Sequence, residues 1–210
     1  MRTSVRLAIL VLLVGLLSPV TPARADSFFA AAEEQPWYVG LEAGLGVYNG
    51  FNPVLPGYFG DTGFQVGAAT ALRLGRQWND HLRMENELAW NGSAIGSISG
   101  RVDVLAWTQN VYYDFGERDA FIRPYVGAGI GLGFGWLESN LPSAAPTFTD
   151  RSGVGFAYVI EGGGRFRLTD RLSATAAWHF LGTAGLISDG LGGSISPTMH
   201  AFMLGLQQKF

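Results

Sequence analysis

Residues 122–137 read I-R-P-Y-V-G-A-G-I-G-L-G-F-G-W-L, and this stretch indicates the fold class. Its even positions are all apolar, whereas its odd positions hold Arg123, Tyr125 and then five glycines between 127 and 135. A period of two over sixteen residues puts the apolar side chains on one face of a β-strand. The other face has almost no side-chain volume. A narrow membrane barrel needs this arrangement, because its apolar face meets lipid and its interior is crowded. The stretch therefore predicts a small transmembrane β-barrel.

Residues 1–25 have the form of a secretory signal. Two arginines precede an apolar run over 7–17, and the small-x-small sequence A-R-A at 23–25 resembles a cleavage site. The apolar run is much shorter than the roughly 20 residues that a membrane-spanning helix needs. We therefore expect export and cleavage, then a lead-in over 26–36 and one barrel domain over 37–210.

The composition narrows the possible partners and chemistry. Without residues 1–25 the chain keeps 11 basic and 17 acidic residues, a formal charge of −6. This balance argues against nucleic acid as a partner, because such binding needs a basic patch. The chain has no cysteine, which excludes disulfides and cysteine-based metal sites. We expect neither a metal nor an organic cofactor.

The same alternation recurs along the chain and predicts eight strands. They cover 37–48, 63–75, 81–90, 102–115, 122–137, 153–168, 172–181 and a last stretch ending at Phe210. The connections alternate between long (49–62, 91–101, 138–152 and 182–197) and short (76–80, 116–120 and 169–171). Outer-membrane barrels have short periplasmic turns and longer extracellular loops, so both termini are expected to be periplasmic. Gln109 would face lipid, which indicates a bulge or a shifted register in the fourth strand.

The inward positions carry many ionisable side chains. They are Glu42, Arg73, Arg83, Glu85, Glu87, Asp114, Arg123, Glu161, Arg165, Arg167 and His179. Side chains can fill an eight-stranded barrel, and a buried charge must be paired. The sequence therefore predicts an ion-pair network that plugs the barrel. The alternative is that the same groups line a narrow pore, or open one by re-pairing.

Outward aromatic residues cluster near the strand ends, as expected for girdles at the two membrane interfaces. Those toward the long loops are Phe64, Trp90, Trp136, Phe156 and Phe180, and those toward the short turns are Trp37, Tyr113, Phe115, Phe166 and Phe210.

Five segments carry a resemblance to a known family. They are N-V-Y-Y-D-F at 110–115, P-Y-V-G-A-G-I-G at 124–131, G-G-R-F-R-L-T-D-R-L at 163–172, W-H-F-L-G-T at 178–183 and G-L-Q-Q-K-F at 205–210. The chain resembles the eight-stranded outer-membrane β-barrels of Gram-negative bacteria, the OmpA-like or opacity-type surface proteins, a small porin-like group. The resemblance implies a monomer among outer-membrane lipid and lipopolysaccharide. It also implies that barrel-assembly machinery reads the C-terminal strand and its last residue, Phe210, although Gln208 stands where an aromatic is usual.

Two patterns in the sequence could indicate a catalytic or cofactor-binding site. The glycine run contains a G-x-G-x-x-G-like string, but no helix signal follows it, so dinucleotide binding is excluded. Some small barrels deacylate lipid A with an outward histidine and serine. His179 and His200 flank the last long loop, but Leu181 stands where such a site would need serine. We expect no catalytic residues, with lipid A deacylation as the lesser alternative.

The long loops are candidates for recognition. They are low in charge and carry Phe51, Tyr58, Phe59 and Phe148. These loops are either solvated surface that varies freely or a contact surface for a ligand or host. The sequence leaves both interpretations open.

Overall fold

Period-two alternation produces long strands that pair in sequence order. The computed structural model describes residues 37–49, 66–95, 100–139, 151–188 and 194–210. The predicted signal, the lead-in, Phe64 and the four loop aromatics lie outside these residues. The strands are β1 (Trp37–Asn49), β2 (Gly67–Gln77), β3 (Leu82–Ile95), β4 (Gly100–Asp114), β5 (Ile122–Ser139), β6 (Arg151–Arg167), β7 (Leu172–Ala184), β8 (Ile187–Ser188), β9 (Ser194–Ile195) and β10 (Thr198–Lys209).

Eight of these strands form a closed barrel in the order β1-β2-β3-β4-β5-β6-β7-β10, with β10 paired back to β1. All neighbours in the barrel are antiparallel. The short strands β8 and β9 pair only with each other, between β7 and β10. The predicted closed, eight-stranded, up-and-down barrel is confirmed. The described residues contain no helix long and apolar enough to cross a membrane.

The barrel has two distinct ends. The short-turn end holds the connections at 78–81, 115–121 and 168–171, together with the start of β1 and the end of β10. The long-loop end holds the other connections. Following paired Cα atoms once around the barrel from Val39 returns to β1 at Asn49, ten residues further along. Such a stagger requires the strands to tilt, by about 35–45° in barrels of this kind.

The register of β4 is constant along its whole length. Gln109 pairs with Asn86 on one side and with Ile130 on the other, in step with the rest of both ladders. The predicted bulge or shifted register at Gln109 is therefore wrong. The residue does face outward, and its side-chain Nε2 donates to the backbone carbonyl of Glu85 at 3.2 Å. This bond gives the amide a partner without breaking the ladder.

Several strands extend further toward the long-loop end than predicted. The predicted loop over 91–101 is mostly strand, because β3 continues to Ile95 and β4 begins at Gly100. Its Gly/Ser composition resembles a turn, but its backbone pairs regularly, for example Ser93 with Val102. Likewise β7 continues to Ala184. The difference is reversed in β2, which was predicted over 63–75 but covers 67–77, so it begins later at the long-loop end and continues further toward the short-turn end. Pairing to a neighbouring strand overrides local turn composition here.

The barrel is apolar outside and mixed inside. Outward Leu41 and Phe202 are 65% and 74% exposed, which is the reverse of a water-soluble sandwich. Inward side chains are buried, and they separate along the barrel axis. Charged groups fill the half toward the short-turn end, and apolar groups fill the half toward the long-loop end.

Candidate functional site

The charged half of the interior is built from inward positions on seven neighbouring strands. Ten ionisable side chains, each at most 7% exposed, come together there: Glu42, Arg73, Arg83, Glu85, Glu87, Asp114, Arg123, Glu161, Arg165 and His179. Burial of so many charges is tolerable only if they are paired and hydrogen-bonded. The structure contains such a buried salt-bridge network.

Arg73 is the centre of this network. Its Nη2 donates to Glu161 Oε2 at 2.6 Å and its Nη1 donates to Glu161 Oε1 at 2.9 Å, which makes a bidentate ion pair. Nη2 also lies 2.9 Å from Glu42 Oε2 and 3.0 Å from Glu87 Oε2, and Nη1 lies 3.4 Å from Glu85 Oε2. One guanidinium thus holds four glutamates, a role that its planar set of donors suits better than an ammonium group.

Three buried tyrosines complete the centre. The hydroxyl of Tyr125 donates to Glu161 Oε1 at 2.8 Å, and that of Tyr38 donates to Glu85 Oε1 at 2.5 Å. The guanidinium of Arg83 lies over the rings of Tyr112 and Tyr125, at 4.1 and 4.5 Å from their centroids. The sequence interpretation left these tyrosines out of the site. Each of these tyrosines occupies an inward position of its strand, close to charged residues that also face inward. This pattern in the sequence could have identified them as members of the site.

A second centre lies nearer the short-turn end, around Asp114. Its carboxylate accepts from Arg83 Nε at 3.1 Å and from Arg165 Nη2 at 2.8 Å, and Arg123 Nη1 lies 3.9 Å away. Gln77 also donates to it, at 3.4 Å. Arg83 bridges the two centres, because its Nη1 is also ion-paired with Glu85. The network is therefore continuous from the middle of the barrel to this end.

Arg167 differs from the other predicted members. Its side chain is 43% exposed, and its Nη1 lies 3.5 Å from Oδ1 of Asp119, which is 92% exposed. Arg167 is the last residue of β6. Its position in the alternation is an inward one, as predicted. However, β6 ends at this residue, so no further residues of the strand cover its guanidinium group. The prediction that it belongs to the interior network is wrong, since it lies at the rim.

His179 lies inside the barrel, fully buried, with Nε2 3.2 Å from Glu87 Oε1. Ligand atoms of Glu87, Glu161 and His179 lie within 4.8 Å of one another, a set that could hold a metal ion. However, Arg73 Nη2 lies 2.6 Å from Glu161 and 3.0 Å from Glu87. This guanidinium already supplies the positive charge between the two carboxylates, so the set fits a metal poorly.

The half toward the long-loop end is filled by an apolar cluster. Its members are Tyr48, Ala69, Ala71, Ala89, Val102, Val104, Ala106, Leu137, Ala157, Val159, Leu181, Leu186, Ile187, Met199, Ala201 and Met203. Leu186 and Ile187 come from the predicted surface loop 182–197, yet they are 1% and 0% exposed. This part of the predicted loop is not surface, because it folds into the barrel mouth and closes it.

Glycines on β5 and β6 make room for this closing segment. A Cβ at Gly135 would lie 2.8 Å from the side chain of Leu186, and a Cβ at Gly153 would lie 2.0 Å from its carbonyl oxygen. Gly127, lower on β5, instead lies under the ring of Tyr112, which a Cβ would approach to 2.1 Å. The glycine run therefore accommodates a tyrosine at one end and the folded-in loop at the other.

The outward aromatic residues form two groups on the barrel surface. Toward the short-turn end lie Trp37, Tyr113, Phe115, Phe166 and Phe210, and toward the long-loop end lie Trp90, Trp136, Phe156 and Phe180. The rings of Phe156, Tyr158, Phe180 and Trp178 are in sequential contact across β6 and β7. Arg101 also faces outward and lies nearer the long-loop end than Trp90, with its guanidinium carbon 5.6 Å from the centroid of the tryptophan ring. Its Nε lies 2.6 Å from Asp103 Oδ2.

Comparison with known proteins agrees with this architecture. Neisserial surface protein A has a similar structure, with 14% identity, 83% of this chain and 97% of that chain covered, and a TM-score of 0.57. Ail, the attachment invasion locus protein of Yersinia pestis, matches with 12% identity, 84% and 99% coverage, and a TM-score of 0.52. Structural similarity at sequence identities this low shows that the fold is shared, and nothing more. A search of curated protein sequences found no significant match.

A family model shows more than these structural likenesses. The model described as "Outer membrane protein beta-barrel domain" matches residues 9–210, nearly the whole chain. The lipid-facing outer surface, the closed sheet and the filled interior are all consistent with that match. The chain belongs to the outer membrane protein β-barrel family, and its place is the outer membrane.

Proposed function

We propose that this chain is a closed barrel of structural or surface-interaction type, neither a pore nor an enzyme. Its interior network would hold the wall rigid, and its long extracellular loops would form the contact surface. The observation that carries this proposal is the filling of the interior. Arg73 in the charged half and Ile187 in the apolar half are both 0% exposed.

A pore is the second candidate, because the charged half alone resembles the lining of an ion pathway. Conduction would require two separate changes. The ion pairs around Arg73 would have to part, and Leu186 and Ile187 would have to leave the mouth. Breaking a buried ion pair costs about 3–5 kcal/mol when one partner is left alone. The closed form is therefore the favoured state.

Lipid A deacylation is the weaker alternative. It needs a histidine that reaches lipid, and His179 is buried inside the barrel and paired with Glu87. His200 does face outward, between the rings of Trp178 and Phe180 at 5.6 and 4.8 Å. The surroundings of its ring are aromatic, a setting that fits packing at the membrane interface better than proton transfer.

The partners that follow from this proposal are lipids and the assembly machinery. The two aromatic groups would sit at the two membrane interfaces, with Arg101 and Asp103 at the level of the lipopolysaccharide head groups. The barrel-assembly machinery would recognise β10 and the residue that follows it, Phe210, whose side chain is 70% exposed. We propose a monomer, since every barrel strand has both edges paired within the chain.

Planar-bilayer recording tests the closed barrel. We expect purified protein to leave the bilayer electrically silent, while an open porin inserted under the same conditions conducts. Single-channel steps would contradict the proposal. A change of step size in Arg73→Gln would then assign the current to this interior.

Binding of whole cells tests the contact surface. Cells that display the protein should adhere better than cells without it, and substitution of Tyr58 and Phe59 by serine should remove the gain. Equal adhesion of cells with and without the protein would leave a structural role alone.

A further inference from the structure

Lys209 is a cation at the short-turn end without an ion-paired partner among the described residues. It is the last residue of β10, pairs across from inward Tyr38, and is half-buried. No carboxylate of the described residues lies within 4.0 Å of its ammonium group. Four arginines at the same end of the barrel carry charges that repel it: Arg118, Arg123, Arg165 and Arg167. We call these five residues the basic mouth.

Three different elements bring the arginines of the basic mouth together. Arg123 is the second residue of β5 and faces inward, Arg165 and Arg167 lie in the last three residues of β6, and Arg118 lies in the turn at 115–121. The stagger of the barrel places these strand ends at the same level as the end of β10. Arg123 and Arg165 are buried, whereas Arg118 and Arg167 are 46% and 43% exposed at the rim.

The carboxylates near the basic mouth do not balance it. Asp114 lies 2.8 Å from Arg165 and 3.9 Å from Arg123, Asp80 lies 3.7 Å from Arg118, and Asp119 lies 3.5 Å from Arg167. Asp114 is also shared with Arg83. Five cations thus meet three carboxylates within ion-pairing distance, an excess of two positive charges among these groups. Glu117 and Asp170 lie at the same end, but they are exposed and, in the part of the chain that the structure describes, form no ion pair with the five cations. The chain as a whole is acidic, with a formal charge of −3, so this local excess runs against its composition.

The glutamates of the interior do not supply the missing charge. They lie deeper in the barrel, where they are bonded to Arg73, Arg83 and His179. In addition, Arg123 Nε is buried without a hydrogen-bond partner within the described structure. Buried cations that lack compensating anions are unfavourable, and an unused buried donor adds to the cost.

We propose that the basic mouth is an anion-binding site that takes a phosphate group. A phosphate carries up to two negative charges, which match the excess, and its oxygens suit the forked donors of arginine. In outer-membrane barrels the short-turn end is periplasmic. The phosphate therefore comes either from a soluble periplasmic compound or from the head group of a phospholipid in the inner leaflet.

The first measurement is a calorimetric titration of inorganic phosphate into the folded full chain in dodecyl maltoside, a detergent without phosphate or charge. We expect saturable binding that Lys209→Gln weakens by about tenfold, because one charge-assisted contact is lost. Arg171→Gln is the matched control. It removes the same charge at the same end, from an exposed residue outside the basic mouth. Gel mobility before and after heating verifies that both variants fold.

A second arm separates the two sources of phosphate. The same titration is repeated in phosphatidylglycerol nanodiscs, and native mass spectrometry then detects any lipid retained after transfer to detergent. Phosphate binding that persists in nanodiscs identifies a soluble ligand. Lipid retained by the wild type and Arg171→Gln but lost from Lys209→Gln identifies the head group. The proposal would be overturned if phosphate did not bind saturably in maltoside, or if Lys209→Gln bound phosphate as tightly as the wild type. It would also be overturned if Lys209→Gln and Arg171→Gln weakened phosphate binding equally.

Discussion

Arg73 and Glu161 form a bidentate ion pair across the middle of the barrel, although 88 residues separate them in the chain. Arg73 comes from β2 and Glu161 from β6, strands on opposite sides of the closed sheet. Their pair therefore spans the interior from wall to wall. Since Arg73 also holds three further glutamates, its removal affects the whole charged half.

Arg73→Met should strongly destabilise the folded barrel. The substitution leaves four buried carboxylates without their shared partner, and such a loss costs about 3–5 kcal/mol. Urea unfolding of the protein in detergent or lipid measures the change. Arg76→Met is the control, because Arg76 lies outside on the same strand, 5.7 Å from the ring of Trp37. Equal unfolding midpoints for the two variants would refute the central role of Arg73.

Gly127→Ala should destabilise the barrel where Gly162→Ala does not. A Cβ at Gly127 would lie 2.1 Å from the ring of Tyr112, so the ring must shift, at a cost of about 1–3 kcal/mol. A Cβ at Gly162, on the outer face of β6, meets its nearest atom at 3.9 Å. The free energies of unfolding of the two variants give the comparison. A neutral Gly127→Ala would mean that the ring has room to move.

Gly153→Ala should lift the closing segment at Leu186 and Ile187 out of the mouth. The new Cβ would lie 2.0 Å from the carbonyl oxygen of Leu186, which cannot move without the backbone. The chain has no cysteine, so Leu186→Cys provides a unique label. We expect Gly153→Ala to accelerate its reaction with an external thiol reagent by about tenfold, equivalent to ~1.4 kcal/mol of lost protection.

Gly164→Ala is the control for this labelling experiment. Gly164 lies on the same strand, and a Cβ there meets its nearest atom at 3.5 Å. The labelling rate of Leu186→Cys should be unchanged in this background. Equal rates in all three backgrounds would show that the segment is already open, or that it adapts to the added methyl group.

His179→Gln should leave lipid A unchanged while it lowers stability. The histidine is sealed inside the barrel, where its loss removes the contact with Glu87 at 3.2 Å. Mass spectrometry of lipid A from cells with and without the protein provides the readout, with His200→Gln as the outward-facing comparison. An acyl chain lost on expression and restored in His179→Gln would make the protein an enzyme and His179 catalytic.

The sequence predicted the direction of each barrel side chain well. Glu42, Arg73 and Tyr125 are buried and Leu41, Val126 and Phe156 are exposed, as alternation indicates. The number of strands and the alternation of long and short connections followed from the same pattern. These features depend on local backbone geometry, in which successive side chains point to opposite faces.

Sequence patterns failed where distant parts of the chain meet. Arg167 has inward parity but lies at the rim, because the end of β6 leaves it exposed. Ser93 lies in a stretch with turn composition, yet it pairs with Val102. Leu186 and Ile187 were placed in a surface loop, although glycines on β5 and β6 leave space for them in the mouth.

Alternation along each strand is thus sufficient to show which side chains face lipid and which face the interior, because that choice depends only on parity. Closure of the sheet with a stagger of ten residues decides which inward groups share a level. That closure brings Arg73 to Glu161 and leaves Lys209 among four arginines. No local pattern contains this information, since the height of each residue depends on the registers of all eight strands.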